Sequence, residues 1–171
     1  MPDGLEKEKT APPEILARVD RTFEDVKAEM KRLKLDRVKA ADRRPLDLLE
    51  AAYLAIRYPA ASQGGASTAL LTLRAAIDSS IEELLRRRPV QEETANRRER
   101  VLSVGRRCGK RGLGPAHFDS IATDDEFVNG ELSAQGRKAR PERPDLMDQF
   151  TRGAEFLRAL LVSIDESLLR P

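Results

Sequence analysis

The chain has 171 residues, enough for one domain with its own core, and its 4% aromatic and 35% charged content predicts Leu, Ile, Val and Ala packed beneath a charged surface. One Cys and one His exclude an internal disulfide and a zinc site closed by this chain alone, so no metal and no other cofactor is expected. The net charge of +2 argues against an evenly basic surface, yet residues 84 to 112 carry ten Lys or Arg against three Glu, while residues 113 to 136 carry five acids and no Lys or Arg.

The opening MPDGLEKEKTAPPE lacks a signal-peptide core, and no run of about 18 apolar residues follows, which predicts a cytoplasmic protein without a membrane span. Residues 1–12 are expected to be flexible and residues 13–171 to form one helical domain. The Arg- and Ala-rich usage suggests a bacterial source.

From Pro13, a residue suited to a first helical turn, Leu16, Val19, Phe23, Val26, Met30 and Leu33 follow at alternating steps of three and four. This narrow seam predicts a helix laid on another helix, either within the chain or in a partner. Val19, Phe23, Val26 and Met30 are the residues through which a second copy would dock. A second helix opens at Pro45, shows Leu49, Ala52, Tyr53 and Ile56 on one face, and stops at Pro59. A third carries Leu70, Leu73, Ile77, Ile81 and Leu84 and ends in Arg86, Arg87 and Arg88, where cations suit a helix C-terminus. It is expected to be the central core helix.

The fourth, VQEETANRRERVLSVGRRC, is polar until Val101, Leu102 and Val104 and predicts an exposed face over most of its length. One short helix is expected from Pro115, and another at TDDEFVNG, with Thr123 and Glu126 in capping-box spacing and Gly130 as terminator. A loose surface loop is expected around 131–144. The last helix is predicted to start with Asp145 as N-cap and to carry Leu146, Phe150, Leu157, Ile164 and Leu168, with Gly153 at a close helix crossing. No segment alternates with period two, so the fold class is all-α: a single-domain antiparallel bundle of about five main helices, with one or two short helices between the fourth and the last.

The stretch RRCGKRGLGPAHFD, residues 106 to 119, holds the single Cys and the single His among Arg106, Arg107, Lys110 and Arg111. Arg97, Arg98, Arg100, Arg106, Arg107, Lys110 and Arg111 form the candidate surface for nucleic acid or an acidic partner, provided they share one face. No aromatic residue interleaves with them for base stacking. The alternative is a solvated face that pairs with the acids of 119–131. For Cys108, burial at a helix end competes with a reactive thiol among cations. Asp124, Asp125 and Glu126 fit a helix start better than a metal site.

Arg111 and His117, with five residues between them, resemble the Arg and His motif of HEPN domains, and the alanine-rich helix pair in residues 45–88 is similar in texture to that fold. The resemblance implies a metal-independent ribonuclease or toxin-type effector acting as a dimer, in which His117 moves protons at a ribose hydroxyl and Arg111 stabilises charge on the phosphate. In this chain Gly112, Gly114 and Pro115 interrupt the motif, so the pair is expected on a connection rather than on one helix. The preferred reading is a binding or scaffold module, a small subunit or adaptor, that associates with itself or docks on a larger partner.

Overall fold

A computed structural model describes residues 12–37, 44–59, 68–87, 96–136 and 143–169. Among these run six α-helices: α1 (Pro13–Arg32), α2 (Pro45–Arg57), α3 (Ala69–Arg87), α4 (Arg97–Cys108), α5 (Pro115–Gly136) and α6 (Arg143–Val162). A 3-10 turn follows at Glu166–Leu168, and no described residue forms a strand longer than one isolated bridge. The all-α bundle expected from periodicity is the observed architecture.

Helix starts follow local chemistry. Pro13 and Pro45 occupy first-turn positions where a missing N–H costs nothing, and the Asn96 side chain accepts a 2.9 Å hydrogen bond from the Glu99 N–H to cap α4. The end of α1 is a Schellman motif: Leu35 N–H donates to Met30 O at 2.8 Å, Lys34 N–H to Lys31 O at 3.1 Å, and Lys34 takes the left-handed φ of 57° that glycine normally fills. Leu35, just beyond it, is buried and anchors the reversal.

Helix α3 is central, packing on α2, α4, α5 and α6, while α1 lies mainly on α6 with α2 beside it. Leu70, Leu73, Ile77, Ile81 and Leu84 all point into the core, as their spacing predicts. At the α1–α2 contact Phe23 stacks on Tyr53 at 4.0 Å, and the Tyr53 hydroxyl donates to Asp20 at 2.6 Å. Burial and that carboxylate push the Tyr53 phenol up to about 12.

The apolar seam of α1 is not available to a partner. Val19, Phe23, Val26 and Met30 are at most 5% exposed within the single chain, because α6 and α2 cover the stripe. The two short helices expected after residue 115 are one helix of 22 residues. Thr123 is no cap: its hydroxyl donates to Asp119 O at 3.0 Å in mid-helix, and Gly130 continues the helix on its exposed side. Phe118, Ile121, Ala122, Asp125, Val128 and Leu132 form the buried face that carries α5 through this glycine. Because one position of that face is Asp, the periodicity is hidden in the sequence.

Helix α6 begins at Arg143, so Asp145 lies in its first turn rather than at the cap, and it ends at Val162, short of the expected Leu168. Gly153 does mark a close crossing: a Cβ there would stand 2.7 Å from Leu73 Cδ2 on α3. The flexible segment expected at 1–12, except Pro12, and the start of the expected fourth helix lie outside the described residues. The loop expected at 131–144 is narrowed by helix at both margins, its middle being outside the described residues.

Two arginines close helix ends. Arg87, 8% exposed, donates to Leu33 O and, at 2.6 Å, to Lys34 O at the end of α1, and is held by Glu83 at 2.8 Å. Arg32 donates to Leu161 O at 2.8 Å and to Ile164 O at 3.2 Å at the end of α6. Both add side-chain donors to carbonyls at or just beyond helix C-termini, where intrahelical partners run out.

Candidate functional site

Helices α4 and α5 form a hairpin whose tip is residues 109–114. After Cys108 the backbone of Gly109 is extended and pairs with Ile164 beyond α6: Lys110 N–H donates to Ser163 O at 2.9 Å and Asp165 N–H to Cys108 O at 2.8 Å. Leu113 N–H then reaches Lys110 O at 3.2 Å across Arg111 and Gly112, and Gly112 has φ of 90°. That is a type II turn, whose third residue needs the conformation glycine adopts freely. Pro115 opens α5 as expected.

The hairpin closes tightly because Gly105 and Gly109, one helical turn apart, present bare backbone to Phe118. A Cβ at 105 would lie 2.3 Å from Phe118 Cγ, and one at 109 would lie 2.7 Å from Cζ. The ring is buried and makes an edge contact with His117 at 5.2 Å. Around it opens a cleft of about 430 Å³, walled by Leu102, Leu113, Gly114 and Pro115, with Arg106 and Asp119 at its mouth. From sequence, Gly105 and Gly109 carried no role in a site, and the cleft was not foreseen. The signal was the Gly105–Gly109 spacing with an aromatic residue across the turn.

His117 touches the segment after α6 at Ser163, while Arg111, on the exposed turn, only adds positive field at Asp165. The Ser163 hydroxyl donates its one proton to Ala159 O at 2.8 Å, so at the 2.8 Å contact with His117 it accepts, and His117 Nε2 carries hydrogen. Ser163 is therefore not primed as a nucleophile by this histidine. In the neutral ring Nδ1 keeps the lone pair. Asp165 is held below the ordinary carboxylate range first by the Ser167 hydroxyl, then by the Ser167 N–H, with Arg111 and Lys110 adding their positive field. Only His117 contacts that segment through its side chain; Arg111 stands on the turn that begins where the backbone pairs with it.

The basic run does not form one face. Arg97 donates to both oxygens of Asp125, at 2.6 and 2.9 Å, and also to Asp78. Burial pushes the Asp125 carboxyl up even against these bonds. Arg98 reaches Asp119 at 3.1 Å and Glu126 at 3.5 Å. Arg100 lies half-buried beside Asp78, Ile81 and Arg97. Arg106 pairs with Glu99 at 3.6 Å, and Arg107 is half-buried. Lys110 and Arg111 are exposed on the turn and close no ion pair with a described residue.

Cys108 is fully buried, its thiol donating to Val104 O at 3.1 Å. Asp124, Asp125 and Glu126 stand in mid-helix, and among the described residues no three His, Cys, Asp or Glu side chains are placed to hold a metal ion. No described helix is long and apolar enough to cross a membrane. No family model, curated protein or solved structure matches the chain.

Proposed function

We propose that the protein is a helical docking module that holds an acidic segment of a partner protein on the turn between α4 and α5. One observation carries this reading: α5 carboxylates take up Arg97 and Arg98 and Glu99 takes up Arg106, whereas Lys110 and Arg111 face solvent. Two adjacent cations can engage one or two carboxylates, and their field steers association at low ionic strength. Nucleic acid fits less well. Few phosphates would be neutralised, and the phenyl ring beside the cluster, Phe118, is buried and offers no face for stacking.

Titration of a fluorescently labelled octaglutamate and a labelled single-stranded RNA, both in EDTA at low and moderate salt, tests this. Octaglutamate should bind at low salt, be released at moderate salt, and lose most of its affinity for the Lys110→Glu/Arg111→Glu variant. Equal octaglutamate binding by wild type and variant overturns the reading. So does tighter binding to RNA.

A second reading is metal-independent RNA cleavage by Arg111 and His117, and it is favoured by the backbone pairing that brings the turn carrying Arg111 to Ser163–Asp165, where His117 also docks. His117 Nδ1 would serve as the base and Arg111 would stabilise phosphate charge. Cleavage of the same RNA in EDTA that disappears in His117→Ala would establish it.

A further inference from the structure

The cleft at the α4–α5 tip lies directly beside the cationic turn, and the two features run in one line along the hairpin. Lys110 and Arg111 sit at the tip, Arg106 and Phe118 come next, and the Arg98–Asp119 pair closes the far end. The cleft is mostly apolar. Its polar residues, Arg106 and Asp119, are both exposed at the mouth, and its walls offer no buried donor or acceptor that would orient a small ligand. Leu113 remains 36% exposed on its edge. A small molecule would be held there by burial and a single ionic contact, while a peptide adds the cations outside the cleft.

We infer that this cleft takes one apolar side chain of the partner's acidic segment, with that segment's carboxylates lying toward Lys110 and Arg111 and not toward Asp119. The inference rests on the acidic-docking reading above and adds an anchor and a direction to it. The charge order commits the occupant: Lys110 and Arg111 stand at one end of the cleft without an ion pair to a described residue, while at the other Arg98 is already taken up by Asp119 and Glu126. A leucine or phenylalanine buried in the cleft supplies selectivity that two exposed cations cannot.

The test uses the whole protein, labelled with 15N, and a synthetic peptide with one leucine placed two residues before four glutamates. Amide signals of Gly105, Gly109 and Gly114 should shift on titration together with those of Lys110 and Arg111. The leucine peptide should bind about tenfold more tightly than its serine counterpart, as burial of one such side chain allows. A Cβ at Gly114 would meet no atom within 4 Å, so Gly114→Leu fills the cleft without disturbing the fold, and it should erase the leucine preference while salt sensitivity persists. Equal affinity for the leucine and serine peptides, with shifts confined to the turn, overturns the cleft inference and leaves acidic docking standing. Loss of all peptide binding, with RNA retained, overturns both. The leucine–serine comparison on wild-type protein decides the matter even if Gly114→Leu fails to fold.

Discussion

The first half of the basic run, from Arg86 to Arg98, and the second half, from Arg106 to Arg111, are both rich in cations, yet their described cations differ in fate. In the first half Arg87 enters the core to satisfy carbonyls of α1, Arg86 and Arg87 clasp Glu83, and Arg97 ties α4 to α3 and α5 through Asp78 and Asp125. In the second half the chain turns at Gly112 and leaves Lys110 and Arg111 in solvent. What separates them is the neighbour, not the residue. An arginine beside an unsatisfied carbonyl or a buried carboxylate becomes a structural tie, and one on a two-residue turn stays available to bind.

Arg87→Met should break the first half most severely. It keeps the volume but takes the guanidinium away from Leu33 O, Lys34 O and Glu83, the last of which keeps Arg86, and a loss of about 3 kcal/mol in urea unfolding is expected. Arg97→Ala follows at about 2 kcal/mol, less than a fully buried pair because Arg97 keeps partial contact with water. The double variant Arg97→Met/Asp125→Leu should recover most of that loss, since it removes the buried charge instead of orphaning it.

The Glu83 prediction sharpens the contrast with pH. Burial would raise the Glu83 carboxyl, but hydrogen bonds and charge from Arg86 and Arg87 hold it below its ordinary value. A lowered folded value means that this stabilisation is complete above the ordinary glutamate value and is lost as pH falls through the folded one. Urea midpoints measured from pH 6 down to about 3 should therefore decline less steeply in Glu83→Gln than in wild type. The smallest effect belongs to the second half: Lys110→Glu/Arg111→Glu should change stability by no more than about 0.5 kcal/mol. A loss as large as that of Arg97→Ala would make the turn structural and end the comparison.

Legibility in the sequence followed the chemistry of each element. The seam of α1 and the face of α3 could be read because every inward position is apolar, and the proline starts of α1, α2 and α5 because proline fixes its own conformation. Continuity of α5 could not be read, because Asp125 occupies an inward position and is tolerated there only through Arg97, 28 residues earlier. Which side of the α1 seam would be covered was equally hidden. A heptad stripe specifies a helical partner but not whether it comes from the same chain, and here α6 and α2 supply it. At the candidate site the Arg111–His117 spacing, the glycine turn and the basic cluster were visible. The docking of this turn and of His117 on Ser163–Asp165 was not, since it depends on a backbone pairing across 55 residues.

The pairing of α1 with α6 also bears on how the molecule is made. From Arg32 to Arg143 the ribosome adds 111 residues before the covering helix even begins. At about 5–20 residues per second that is on the order of ten seconds, during which the Val19–Phe23–Val26–Met30 stripe has only α2, through Tyr53 on Phe23, as native cover. The nascent chain therefore presents to chaperones, and to its neighbours on a polysome, part of a surface that the finished protein buries.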